Sequence, residues 1–224
     1  MVWLWAGCTL LGGYLLGSIS FAVIVSRAAK GEDVRQRGSG NAGTTNMLRS
    51  YGWLPAALTF AGDFAKGSAA ALLGKLLLGM AGLGPLGGFL GGIAALAGHM
   101  RPIFFGFRGG KGVATALGAV LALEPLTFFI LAGIGFPMAG ISGYVSLASV
   151  CCAGGFPLLL AAVQRFQGRL DWPELALAAV LGWTIVWNHR ENIRRLMNGT
   201  ERRFLPDKNQ RAERAKRKGG NENG

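Results

Sequence analysis

Two long stretches of this chain carry no residue that is charged at neutral pH: Met1 to Ser26 and Pro125 to Gln164. In hydrocarbon every backbone N–H and C=O must be paired within the protein, and a helix needs about 20 apolar residues to cross. The two stretches therefore predict membrane-spanning helices, and they constrain everything else. Only 15% of the 224 residues are charged, against about a quarter in ordinary soluble domains. Arg27 and Lys30 follow the first apolar run instead of preceding it. A cleavable signal peptide has the opposite order, so the first helix is expected to stay in the membrane with the N-terminus outside.

The pattern predicts an all-α, polytopic membrane fold of about seven transmembrane helices, near 2–26, 52–79, 84–99, 112–123, 125–139, 147–165 and 172–188. Basic residues crowd the connections at 27–51 and 100–111 and the stretch after the last helix. The positive-inside rule places these in the cytoplasm, the C-terminus among them. On the other side Arg165 and Arg169 are partly offset by Asp171 and Glu174. Residues 1–205 read as one membrane domain. Residues 206–224 read as a basic, disordered tail, being polar and without apolar periodicity. The net charge of +12 is assigned to loop charge facing anionic lipid, and no nucleic-acid partner is expected. The 37 glycines suit close helix packing in lipid. Cys8, Cys151 and Cys152 are expected to be buried as small hydrophobes, with neither a disulfide nor a metal site indicated.

Four polar segments carry the chemistry. The first is Gly38-Ser39-Gly40-Asn41-Ala42-Gly43-Thr44-Thr45-Asn46, followed by Arg49. Glycines let several backbone N–H groups converge on one anion, and an arginine fork suits phosphate. The same composition also describes a flexible turn-rich loop. The second runs from Gly98-His99 to Gly109-Gly110-Lys111-Gly112-Val113-Ala114-Thr115, where a cation precedes a helix start. Helix N-termini favour anions. Gly112 stands where a Walker loop needs Ser or Thr, so ATP use is not supported. Phe104, Phe105 and Phe107 suit the membrane interface or an acyl chain. The third is Val145-Ser146-Leu147-Ala148-Ser149, with both serines on one face of a helix start. The fourth is His189-Arg190-Glu191-Asn192-Ile193-Arg194-Arg195-Leu196, with Gly199 and Glu201 beyond it. Glu191 and Arg195 are spaced as an i,i+4 pair. A snorkelling basic boundary accounts for those arginines but not for His189 and Asn192.

Asp63 and Lys66 lie three residues apart inside the second span, where they are expected to neutralise each other on one helix face. Lys75 is expected to snorkel and Glu124 to sit at the outer boundary. Neither histidine is followed by an acid at the fifth position, which excludes the His–x4–Asp dyad of the large glycerolipid acyltransferases. Cytoplasmic carboxylates do not cluster as a Mg²⁺ site requires. A transporter for organic phosphates and a basic-tailed scaffold remain as rival classes.

In order and composition these four segments resemble the bacterial acyl-phosphate:glycerol-3-phosphate acyltransferases of the PlsY type. The match runs from about Leu15 to Arg203 and departs at Thr44, where that family usually has Ala. The resemblance implies a seven-helix fold and a cytoplasm-facing site in the bacterial inner membrane. It implies acyl transfer from acyl phosphate to the 1-hydroxyl of glycerol 3-phosphate. Those two substrates and membrane lipid are then the partners, no cofactor or metal is needed, and a monomer is expected. Catalytic roles fall to Ser39, Lys111, His189 and Asn192. Substrate binding falls to Gly40, Asn41, Thr45, Asn46, Arg49, His99, Gly109, Gly110, Gly112, Ser146, Ser149 and Arg195. His189, His99 or a substrate phosphate oxygen could take the proton, and substrate assistance is favoured.

Overall fold

The first apolar run is not one helix. In the computed structural model, which describes residues 1–204, α1 (Val2–Gly17) stops before Ser18-Ile19-Ser20 and α2 (Phe21–Lys30) begins after it. Ser20 is extended at this break. Lys66 Nζ donates to the Ile19 carbonyl there at 2.6 Å. This corrects the expectation of a single helix over 2–26. A gap in the helical ladder inside hydrocarbon needs a partner for its carbonyl, and a buried lysine supplies one.

The other elements follow in order: α3 (Thr44–Tyr51), α4 (Trp53–Gly79), α5 (Gly84–Met100), α6 (Val113–Leu123), α7 (Pro125–Ser142), α8 (Val145–Phe166), α9 (Trp172–Asn188) and α10 (Arg190–Met197). Short 3-10 turns occupy Val34–Gln36 and Ile103–Phe105, and there is no strand among the described residues. The six later helices fall within a few residues of the expected bounds. The short α3 was expected as loop, whereas α10 is separated from α9 only by His189. Val2–Lys30, Pro125–Ser142 and Val145–Phe166 are each long and apolar enough to cross a membrane. α4, at 27 residues, is longer than the two single helices among these but carries Asp63, Lys66 and Lys75.

Helices α1, α4, α5 and α6 pack through small residues. α1 buries Thr9, Gly13 and Gly17 at four-residue spacing. A Cβ on Gly13 would sit 2.8 Å from the Gly91 carbonyl of α5, so only glycine allows that approach. The same logic joins Gly74 of α4 to Gly87 of α5, each of which a side chain on the other would strike. Lipid gives no hydrophobic drive for helix association, so close van der Waals contact has to hold these helices together. The bulky core lies elsewhere: Phe89, Leu96, Val120, Phe156, Leu160 and Leu181 belong to one buried cluster joining α5, α6, α8 and α9. α7 packs on α6 and α8, touches α4 through Phe128 against Phe64, and is otherwise largely open.

The ends of the bundle differ. At one end Arg169 bonds Glu124 at 2.5 Å and Glu174 at 3.0 Å, while Gln164 also donates to Glu174. Asp171 caps α9 by accepting from the Glu174 N–H at 2.9 Å. Glu124 is thus buried and paired, and Lys75 is exposed beside it. All four polar segments gather at the other end. Cys8 and Cys151 are exposed and Cys152 is half-buried, and all three are free. That corrects the expectation of buried cysteines. On a spanning helix the surface outside the protein is lipid, which suits a small apolar side chain as well as a core does. The proposed tail, 206–224, lies outside the described residues.

Candidate active site

The first loop is built around Asn46. This side chain is 2% exposed and sits in the first turn of α3. Its amide nitrogen lies within bonding distance of the carbonyls of Val34, Arg37 and Asn41, and its oxygen accepts from the Ser39 N–H at 3.0 Å. Asn46 therefore shapes the loop that presents Ser39, Gly40 and Asn41. Gly38, at φ +59, leaves room for its amide oxygen. Arg35 ties this loop to the next one. It clamps Asp33 through two bonds of 2.9 and 2.7 Å and donates to the carbonyls of Phe105 and Arg108. The Arg35 bonds outweigh burial and hold the Asp33 carboxyl down at about 2.

The second loop closes over His99, which is 6% exposed at the end of α5. Its Nδ1 lies 3.0 Å from Lys66 Nζ, and Lys66 pairs with Asp63 at 2.7 Å. Lys66 thus serves Ile19, Asp63 and His99 with one ammonium, and its side chain is only 3% exposed. The expected Asp63–Lys66 pair is present, enlarged by a histidine and a carbonyl. Gly110 N–H donates back to the His99 carbonyl at 3.1 Å. A side chain at Gly109 would strike that carbonyl, and one at Gly110 would strike the His99 ring and the Ala42 carbonyl. Gly112, at φ +85, turns the chain into α6. Lys111 projects from this wrapped loop.

Lys111 Nζ donates to Asn192 Oδ1. Asn192 Nδ2 donates to Glu201 Oε1 at 2.6 Å, Ser146 Oγ donates to the same oxygen at 2.8 Å, and Arg195 Nε donates to Glu201 Oε2 at 2.7 Å. Glu191 lies 4.0 Å from Arg195, so the anticipated helical pair is the weaker of that arginine's two contacts. Arg49 donates to the Arg202 carbonyl at 2.7 Å, and the Phe204 N–H reaches the Gly143 carbonyl. The segment after α10 thereby straps across the polar end from α3 to the α7–α8 turn. Ser149 Oγ donates to the Val145 carbonyl at 2.8 Å, leaving its oxygen as an acceptor.

These groups line a cavity of about 810 Å³ that runs from the polar end down between α6, α7, α8 and α9. Of the sixteen residues predicted from the sequence, all but Gly109 and Gly110 line it. Those two pack on His99, and they shape the site from behind. Sequence reasoning placed Glu201 in the fourth motif but gave it no role, and it did not place Arg202 or Asp63 at the site. The signal for Glu201 was its position after Gly199 in that motif, and for Asp63 it was an ionisable group inside a span.

Electrostatics set the character of the pocket. Burial, with Arg195 and Arg49 nearby, outweighs the attraction of Glu201 and Glu191 and pulls the Lys111 ammonium down to about 8. Burial likewise lowers Arg49. Burial first, then the Lys111 charge, pushes His189 down to about 4. His189 is therefore neutral at pH 7. Its Nδ1 lies 2.8 Å from the Ile185 carbonyl, which can only accept, so Nδ1 carries the proton and Nε2 keeps a lone pair. For Glu201, burial raises the carboxyl, but hydrogen bonds from Arg195, Asn192 and Ser146 prevail and lower it. Among the described residues no three His, Cys, Asp or Glu side chains converge as a metal site. Such an arrangement can hold an anionic headgroup at the top and an apolar chain below.

Comparison with known proteins gives a consistent picture. The family model for glycerol-3-phosphate acyltransferase matches residues 7–199. A glycerol-3-phosphate acyltransferase of Clostridioides difficile (strain 630) is 43% identical over 192 residues, which is 85% of this chain and 91% of that protein. One from Neisseria meningitidis serogroup B (strain ATCC BAA-335 / MC58) is 44% identical over 188 residues, covering 84% and 92%. The crystal structure of PlsY (YgiH), an integral membrane glycerol 3-phosphate acyltransferase, is similar in its glycerol 3-phosphate form. It gives a TM-score of 0.78 at 39% identity, covering 89% of this chain and 96% of that one. Its lysophosphatidic acid form gives 0.75 at 37% identity, covering 88% and 94%.

Proposed function

The chain belongs to the glycerol-3-phosphate acyltransferase family, and from that premise we propose that it moves a fatty acyl group from acyl phosphate to the 1-hydroxyl of glycerol 3-phosphate. Lysophosphatidic acid and inorganic phosphate are the products, and the step opens phospholipid synthesis. The observation that carries this reading is the convergence of Arg49, Lys111 and Arg195 on one cavity whose polar mouth continues into an apolar shaft. Two phosphate-bearing substrates repel each other, and fixed cations in a partly dry pocket offset that repulsion. An apolar shaft suits a fatty chain.

In this mechanism Lys111 and Arg49 hold the phosphates, and Ser39, Asn41 and Thr45 orient them. Ser146 and Asn192, fixed by Glu201, set the geometry of attack. Such orientation lowers a barrier by several kcal/mol. The hydroxyl oxygen of glycerol 3-phosphate forms the new bond to the acyl carbon. The bond from that carbon to the phosphate oxygen breaks. The hydroxyl proton passes to an oxygen of the departing phosphate, so the charges balance without a protein base. His189 supports this route: its Nε2 can accept the hydroxyl hydrogen bond and orient it, while a value near 4 makes it a weak base at pH 7. His99 is spent on Lys66 and on the loop around it. Seven crossings, with the N-terminus outside and the active site facing the cytoplasm, complete the proposal, and the basic residues at the site end support it.

The test gives purified protein palmitoyl phosphate and glycerol 3-phosphate, with neither metal nor coenzyme A. The expected result is one lysophosphatidic acid per phosphate released. Absence of product here, with product from palmitoyl coenzyme A, would overturn the donor assignment. For the proton route, His189→Ala is expected to lose only the part of turnover that orientation supplies; abolition of turnover with both substrates bound normally would count against substrate assistance.

A further inference from the structure

The apolar shaft has a floor. Phe60 and Asp63 of α4 line one side of the cavity, and each of the other four helices around it contributes one deepest lining residue: Val120 from α6, Leu131 from α7, Phe156 from α8 and Leu181 from α9. All four are buried, at 4%, 7%, 2% and 3% exposure, and all four belong to the same hydrophobic cluster. Beyond them lie Leu160, which is fully buried, and Phe89 at 2%. The cavity therefore ends at these side chains: a separate cavity of about 210 Å³ at the far end, lined by Phe89, Leu123 and Glu124 among others, shares no lining residue with it. Its walls above the floor are smooth, with Gly135 and Ala132 on α7 facing Ala148 and Ala153 on α8. Ser146 at the polar end and Phe156 at the floor are ten residues apart on one helix, a drop of about 15 Å.

We propose that Phe156 and Leu181, backed by Val120 and Leu131, form the stop that sets the longest acyl chain this protein accepts. The proposal rests on the acyl-transfer reading above and names the specificity-determining residues of that same site. A drop of about 15 Å takes roughly a dozen carbons of straight chain and more when the chain bends. The donor arrives from lipid, so a methylene that fits gains little over its place in the bilayer. One that meets the floor has to displace packed side chains, and protein interiors resist that. Selection is therefore expected as a ceiling on length, with shorter chains treated alike. Phe156 and Leu181 face the chain's end, where truncation deepens the shaft. Ala153 lies one turn above Phe156 on the same face, where enlargement makes it shallower.

The experiment measures kcat/KM for acyl phosphates of eight to twenty carbons at a fixed mole fraction in micelles. The wild type is expected to hold nearly level up to a ceiling and then fall about tenfold or more per added step, the discrimination an apolar pocket with a packed end gives. Phe156→Ala and Leu181→Ala should each move that ceiling to longer chains by about two to four carbons, as the space they vacate allows. Ala153→Leu should move it to shorter ones. Thermal melting in the same detergent confirms that each variant is folded, and Ala153→Leu keeps the test open if a truncation fails to fold. A ceiling that stays in place in the folded variants would overturn the proposal, as would a wild type with no ceiling. Absence of transfer from every chain length would instead defeat the acyl-phosphate reading itself.

Discussion

Replacing Lys66 by Met isolates what a buried ammonium does in this fold. The lysine side chain is 3% exposed and Asp63 is 2% exposed. One nitrogen serves Ile19 at 2.6 Å, Asp63 at 2.7 Å and His99 at 3.0 Å. Methionine fills most of the volume but leaves the Asp63 carboxylate without its nearest cation and the Ile19 carbonyl without a donor. Breaking one side of a buried pair costs about 3–5 kcal/mol. For a chain of this length that is a fall in melting temperature of about 6–20 °C. Asp63→Asn should cost less, since Lys66 keeps its two other acceptors. The double variant Asp63→Asn/Lys66→Met removes both charges and is expected to regain at least half the loss. The assay is unfolding in mixed micelles on the wild type, both single variants and the double, read as a double-mutant cycle. Single losses that add without coupling would refute the pairing argument. A Lys66→Met protein as stable as the wild type would refute the assignment of Lys66 to the helix break.

Three further outcomes follow from the site. With Lys111 near 8, its cation is present below that pH and lost above it, so kcat/KM for glycerol 3-phosphate should fall as pH rises through about 8. Lys111→Arg should carry that limb beyond pH 10, and a wild-type profile level to pH 10 would contradict the electrostatics. Gly110→Ala forces a methyl into the His99 ring and the Ala42 carbonyl, and kcat/KM should fall about 100-fold, as misplacement by an ångström allows. Retention of full activity would show that Lys111 does not depend on this wrapped loop. Glu201→Gln keeps the shape but weakens the bonds from Arg195, Asn192 and Ser146. A loss of about 1–3 kcal/mol in stability is expected, together with reduced turnover, and unchanged values in both would remove Glu201 from the site.

The spans were legible because charge-free length has few other uses, and the later helices fell within a few residues of their expected bounds. The break at Ser18–Ser20 was not legible. Its stabilising partner is Lys66, 47 residues away from Ile19, and no local pattern announces such a contact. α3 was hidden for a different reason. Gly, Ser and Asn before it favour turns, yet Asn46 binds the loop from within the first helical turn. The cation and amide set of the site could be read from motif order, since each lies in one of four short segments. The roles of Gly109 and Gly110 could not. Phosphate cradling and close approach to a neighbouring ring ask for the same residue, and only coordinates separate them. Buried cysteines were expected from soluble-protein habits, which fail where lipid replaces water outside the protein.

The strap after α10 also fixes when this protein can begin to work. Arg49 is made early and its acceptor, the Arg202 carbonyl, comes 153 residues later. At about 5–20 residues per second, roughly eight to thirty seconds of synthesis separate them. Throughout that interval the growing chain can present Ser39, Arg49 and then Lys111, but not the carboxylate that fixes Ser146, Asn192 and Arg195. A nascent or prematurely terminated chain is thus left with an unfinished polar pocket in the membrane. Assembly of the pocket waits on the synthesis of Glu201 and Arg202.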